Sequence, residues 1–232
     1  MKKKAIGIIG GMGPEASARF YRMLIYHAQK DYSICKNEDF PELYLISIPV
    51  PDFINSQANE EQALKMLVDR LKRMADLPIR FYCIACNTGH LMLDELRTIT
   101  DAPFISLLEE VPRFISAEGI RELGILASPT TIKTKMYEGP LGSVGVDLVI
   151  PDHKDLSLLG DIIIETIAGE NLEKNSKEVE KIADRLVSRG ATRILEACTE
   201  IPLIFPGNYK VPVFDTLEIL AKAVLNKYYL LQ

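Results

Sequence analysis

Cys86 and Cys198 are the residues around which any chemistry in this chain has to be built. Each closes an apolar run: Phe81-Tyr82-Cys83-Ile84-Ala85-Cys86-Asn87-Thr88-Gly89-His90 in one place, and Arg193-Ile194-Leu195-Glu196-Ala197-Cys198-Thr199-Glu200 in the other. Such runs read as buried strands, each delivering a thiol to the mouth of a strand-to-helix turn. The partial positive charge of a helix start favours the thiolate. A single activated thiolate points to covalent nucleophilic catalysis, usually with a histidine base. His90, however, falls one helical turn inward of Cys86, and nothing matches it near Cys198. Two matched thiols fit a different reaction better. One removes a proton from one face of a carbon while the other delivers a proton to the opposite face, inverting a stereocentre without a cofactor. The competing reading is structural, since a free cysteine at a strand end is often a small buried hydrophobe.

The remaining polar motifs are weaker. Cys83-x-x-Cys86 has the spacing of a redox or zinc pair, but side chains three apart on a strand point to opposite faces, which suits neither. His27, His90 and His153 show no ligand spacing, so no metal is expected. Gly11-x-Gly13-x-x-Ala16 fits the permissive dinucleotide fingerprint in a strand–turn–helix context. A general anion-receiving turn is the better reading. The second strand ends in Pro49-Val50-Pro51, with no acid at its tip for a ribose, and Asp31 falls before that strand.

These residues need a scaffold. Ala5 to Ile9 reads as a short strand, and Pro14 suits the first position of the helix that follows. A strand at Leu43 to Ile48 leads into a proline-marked loop and an amphipathic helix at Glu60 to Ala75. The Cys86 strand is followed by a helix-like segment at Leu91 to Ile99, a short strand at Pro103 to Ser106, and a helix from Leu108 to Glu118. The pattern then restarts. Leu123 to Thr131 is strand, turn and helix; Val146 to Ile150 is a strand; helices cover Leu156 to Ile167 and Lys177 to Arg189. The Cys198 strand follows, and Val211 to Glu218 echoes Ala102 to Glu109.

Gly11 pairs with Ala127, Cys86 with Cys198 and Pro103 with Pro212, at offsets of 116, 112 and 109 residues. Nearly constant offsets indicate an internal duplication. The expected fold class is therefore α/β: two pseudo-symmetric α/β domains with parallel sheets and a site in the cleft between them. Ligands meet such sheets at the carboxyl ends of the strands. The first domain is assigned to 1–105 plus 210–232, and the second to 106–209.

At 232 residues with a formal charge of -5, the chain offers no basic surface for nucleic acid or anionic membrane. The run after Met1-Lys2-Lys3-Lys4 is too short for a signal peptide, and no stretch approaches a membrane span. Four cysteines in a chain of this length read as free thiols. A cytoplasmic location is expected.

The combination Gly10-Gly11-Met12-Gly13-Pro14, Ala85-Cys86-Asn87-Thr88-Gly89-His90 and Cys198-Thr199-Glu200-Ile201-Pro202-Leu203, with Pro212-Val213-Phe214-Asp215, resembles the cofactor-independent aspartate/glutamate racemase family along essentially the whole chain. The resemblance implies two α/β domains flanking a cleft, with Cys86 and Cys198 as the paired proton donors and acceptors. It implies that Asn87, Thr88 and Thr199 hold the α-carboxylate and amine of an amino acid, and that Met12 and Gln57 line the substrate. Glu200 stands where many glutamate racemases carry histidine and looks more like the aspartate-racemase branch. It would orient Cys198 or meet the substrate ammonium. No cofactor is implied, and a homodimer is the family's usual state.

This sequence departs from the pattern at several positions. Glu196-Ala197 stands where many relatives have glycine before the second cysteine. Phe53 and Ala168 replace basic residues that some aspartate-acting members carry, leaving Lys133, Lys135 or Arg19 as substitutes. An acidic amino acid is the first expectation for the substrate. A neutral amino acid is next, and a hydantoin or a maleate-type dicarboxylate is more distant. Outside that chemistry stand a nucleotide-dependent oxidoreductase and a non-catalytic amino-acid binder.

Overall fold

The computed structural model describes residues 5–230; the opening Met1 to Lys4 lies outside them. The first half runs β1 (Ala5–Gly10), α1 (Pro14–Tyr32), β2 (Leu43–Ser47), α2 (Glu60–Arg73), β3 (Ile79–Ile84), α3 (Leu93–Arg97), β4 (Phe104–Ile105) and α4 (Leu107–Ala117). The second runs β5 (Glu122–Ala127), α5 (Pro129–Lys133), α6 (Glu138–Gly142), β6 (Asp147–Val149), α7 (His153–Ala168), α8 (Leu172–Ser188), β7 (Arg193–Ala197), β8 (Val213–Asp215) and α9 (Thr216–Tyr229). The sheets are both parallel and four-stranded, with the corresponding orders β2-β1-β3-β4 and β6-β5-β7-β8. Parallel strands joined by helices bury both sheet faces, which is why these strands are apolar at successive positions rather than alternating.

Strand parity sorts the core. Ile6, Ile8, Phe81 and Cys83 of the first sheet share one apolar cluster with Leu123, Ile125, Leu195 and Ala197 of the second, together with Phe20 and Leu24 of α1 and Leu217, Leu220 and Val224 of α9. Ile9, Tyr82, Ile84 and Cys86 turn the other way, against Leu67 and Leu71 of α2. Leu126, Ile194 and Cys198 do the same against α7 and α8. Cys83 and Cys86 thus belong to different faces, as period-2 alternation demands. All four cysteines are free.

The expected domain boundary needs correction at its C-terminal end. β8 pairs with β7 through Ile194–Val213, Leu195–Phe214 and Glu196–Asp215, so the strand at 213–215 belongs to the second sheet. α9 then leaves that sheet and packs against α1 and α4. The shared apolar cluster makes the two halves one continuous body of core, not two beads on a linker. Among the described residues, no helix is long and apolar enough to cross a membrane.

Candidate active site

The turn after β1 requires its glycines. Gly11 has a φ of +91°, and a Cβ there would lie 2.2 Å from the backbone nitrogen of Ile48. The chain then enters α1 at Pro14, with no side chain capping its first turn. The positive end of a nineteen-residue helix is therefore left facing the strand ends.

Cys86 follows β3 and is positioned from behind by His90. The Leu107 N–H donates to His90 Nε2 at 3.1 Å, so the proton is on Nδ1, which donates to the Cys86 carbonyl at 2.8 Å. Burial pushes the His90 pKa down to about 4. The imidazole is a neutral strut, not a base for the thiol. The Gly89 N–H donates to Cys86 Sγ at 3.4 Å, an interaction that favours thiolate. Burial outweighs it, and with the negative charge of Glu200 nearby the thiol is pushed up to about 12.

Asn87 and Thr88 tie the halves together. Tyr137 Oη donates to Asn87 Oδ1 at 2.5 Å, while Asn87 Nδ2 donates to Thr216 Oγ1 at 3.0 Å. Thr88 Oγ1 lies 3.1 Å from both Ser128 Oγ and Thr131 Oγ1, which are themselves 2.9 Å apart. These side chains line the cleft, yet much of their hydrogen-bonding capacity goes to the second half. Neither partner set carries a local sequence signal.

Cys198 follows β7 in the equivalent position but in a different setting. Its Sγ–H donates to Glu200 Oε2 at 3.1 Å, and Thr199 Oγ1 donates to the same oxygen at 2.9 Å. The other oxygen, Oε1, is buried with no hydrogen-bond partner. It sits 2.5 Å from where a Cβ on Gly13 would be, so the glycine turn makes room for it. Burial pushes the Glu200 carboxyl up, opposed by its bonds from Cys198 and Thr199. Burial and the charge of Glu200 push the Cys198 thiol up as well.

One cavity of about 190 Å³ joins these parts. Its walls are the turn 11–14, the loop 50–54, Cys86 to Thr88, Cys198 to Glu200, and Ile164 and Ile167 of α7. It is smaller than the roughly 300–1,000 Å³ of drug-sized sites, which suits a small metabolite. Of the residues expected to contact a substrate, Met12, Asn87, Thr88, Thr199 and Glu200 line this cavity together with both thiols. Gln57 does not. It lies on an exposed turn, where its Nε2 donates to Glu60 Oε2 at 2.5 Å. The substitute cations are also elsewhere: Arg19 pairs with Asp215 at 2.5 Å, Lys135 with Glu138, and Lys133 reaches the Asn55 carbonyl. Among the described residues no lining side chain is cationic, whereas Asp52 and Glu200 are acids. The glycine turn thus faces the Glu200 carboxyl. Among the described residues no cluster of histidine, cysteine and carboxylate side chains could hold a metal.

The sequence model of the Asp/Glu/hydantoin racemase family matches residues 9–224. The chain belongs to this family. It is an isomerase of the amino-acid racemase type, and two thiols at matching strand ends of a pseudo-symmetric α/β fold are consistent with cofactor-independent racemisation. The broad-specificity amino-acid racemase RacX of Bacillus subtilis is 23% identical over 224 residues, covering 96% of this chain and 97% of that protein. An aspartate racemase homologue from Pyrococcus horikoshii superimposes with a TM-score of 0.78 at 28% identity, covering 97% of this racemase and 99% of its own chain. The aspartate racemase of Picrophilus torridus shares the fold, with a TM-score of 0.85 at 24% identity over 97% and 94% of the two chains.

Proposed function

We propose that Cys86 and Cys198 exchange the α-proton of a free amino acid across the two faces of its Cα. The observation that supports this is the placement of both thiols, from equivalent strand ends, on one small cavity. In one direction a Cys86 thiolate takes the α-proton, and the electron pair left on Cα delocalises into the carboxylate. The Cys198 S–H then donates its proton to the opposite face, leaving Cys198 as thiolate and Cys86 as thiol; the reverse reaction starts from that state. The resting hydrogen bonds suit this polarity, since Cys86 Sγ accepts from Gly89 and Cys198 Sγ donates to Glu200.

The chemistry needs help with two charges. Both thiols are held protonated at rest, chiefly by burial. An α-ammonium placed beside the Glu200 carboxyl offsets the charge that raises them, so substrate binding favours the Cys86 thiolate, whose proton leaves to solvent. The developing charge on the carboxylate is met by the uncapped N–H groups of α1 and the backbone after Cys86. Thr199 fixes Glu200, while Asn87 and Thr88 hold the first half against the second. Aspartate or glutamate are the substrates the family name suggests. Buried free thiols fit a reducing compartment, so we place the enzyme in the cytoplasm; the family resemblance adds a homodimer. The test is proton NMR in D2O with a panel of L-amino acids. The α-proton signal should disappear with wild-type protein and persist with Cys86→Ala and Cys198→Ala. Persistence with every amino acid tried would remove the racemase reading.

A further inference from the structure

We infer, on the basis of the two-thiol reading, that the side chain of the preferred substrate is aliphatic and uncharged. An α-ammonium and α-carboxylate are common to all amino acids, and Glu200 with the α1 terminus accounts for them. Apart from Asp52, what remains of the cavity wall is apolar: Met12 and Pro14 of the turn, Phe53 and its loop neighbours, and Ile164 and Ile167 of α7. Ile164 and Ile167 are one helical turn apart, and they are 40% and 43% exposed in a helix whose other isoleucines, Ile162 and Ile163, are buried. That exposure is what an apolar side chain seated between them would remove.

This wall is built rather than incidental. Phe53 is only 6% exposed, and its carbonyl accepts from Thr130 Oγ1 at 2.8 Å; the Ile54 carbonyl accepts from the Thr130 N–H at 3.0 Å. The loop is therefore pinned across the cleft to the second half. A second carboxylate entering here would lose its water, meet no cation and face Asp52 and Glu200. A cationic side chain could pair only with Asp52, whose carboxylate already accepts from the Ile54 N–H, and would otherwise place its charge among isoleucines and phenylalanine. One methylene in such a pocket already discriminates about 10- to 200-fold.

The test compares kcat/KM for α-proton exchange in D2O with L-leucine, L-methionine, L-aspartate, L-glutamate and L-lysine. Leucine or methionine is expected to exceed each charged amino acid by about 100-fold, in line with the discrimination expected of an apolar pocket. Ile164→Arg adds a cation at an exposed wall position one turn from Ile167, which itself lies beside Gly13. It is expected to raise aspartate exchange and lower leucine exchange, with thermal unfolding unchanged. Faster exchange with aspartate, glutamate or lysine in the wild type overturns this inference and leaves the racemase intact. An Ile164→Arg protein that folds but gains nothing with aspartate also overturns it. Exchange with none of the five removes the two-thiol reading on which it rests.

Discussion

His90 makes a prediction that separates a strut from a base. It is 3% exposed, and both ring nitrogens are committed to backbone groups. Protonating it would turn Nε2 into a donor facing the Leu107 N–H and leave a charge in the core. Its pKa is accordingly lowered from 6.5 to about 4. A folded-state value below the unfolded one means that the unfolded chain binds the proton more tightly. Stability is then complete above pH 6.5 and is lost as pH falls through 4. The full loss is about 3 kcal/mol, of which about 2 kcal/mol has gone by pH 5. At a urea slope near 2 kcal/mol/M, that is roughly 1 M in the unfolding midpoint. His90→Gln keeps an acceptor for Leu107 but does not titrate. It should unfold earlier than wild type at pH 7.5, by about 1–3 kcal/mol for the disturbed buried bonds. The gap should then close by about 2 kcal/mol between pH 7.5 and 5. Buried acids contribute in the opposite sense, but equally in both proteins, so the difference isolates His90. Midpoints that stay a constant distance apart across this range would refute the neutral-strut assignment.

Two carboxyls give further tests. Glu196 is pushed up to about 8, by burial and then by Asp215, although Arg19 opposes this. An acid whose folded pKa is raised stabilises the fold below its unfolded value and loses that contribution as pH rises towards 8. Glu196→Gln should therefore be near neutral at pH 4 and stabilising by about 3 kcal/mol at pH 7, measured by urea unfolding; an equal effect at both values would contradict it. Glu200→Gln removes a negative charge that raises both thiols. Alkylation of Cys86 and Cys198, followed by peptide mass spectrometry, should speed up about 10-fold at pH 8 for each unit the thiol pKa falls. Amino-acid exchange should slow in the same protein. Slower alkylation would show that Glu200 activates the thiols in the resting state.

The scaffold was legible because parallel sheets write themselves plainly: mostly continuous apolar runs, the longer ones stopped by a glycine, proline or cysteine turn. The echo of Pro103 at Pro212 already contained the pairing of β8 with β7, since β4 pairs with β3. Assigning the whole C-terminal segment to the first half ignored that echo, although α9 does pack there. Loss of α1's counterpart was not legible either; α5 stops after Lys133, a single turn and a half. The residues that bind the halves together escaped because Tyr137, Thr216, Ser128 and Thr131 meet Asn87 and Thr88 across 40 to 129 positions of sequence. Ile164 and Ile167 escaped for a different reason. An isoleucine on an amphipathic helix looks the same whether it faces core or cleft. Gln57 follows the loop 50–54 that walls the cavity, but its amide turns back to Glu60 at the start of α2.

The matching orders of the two sheets have a consequence for stereochemistry. Duplicated halves are related by rotation, whereas the two faces of a planar carbanion are related by reflection. No chiral chain can supply a mirror. A half-turn that carries one thiol position onto the other also exchanges in-plane directions, so at most one substituent, lying along the axis, sees equivalent surroundings. The other two must meet walls that are deliberately unlike. Glu200 beside one sulfur, with no acid in its place after the other, is such an inequality. Divergence between the repeats is therefore a requirement of working on two enantiomers, and perfect internal symmetry would have made a poorer catalyst.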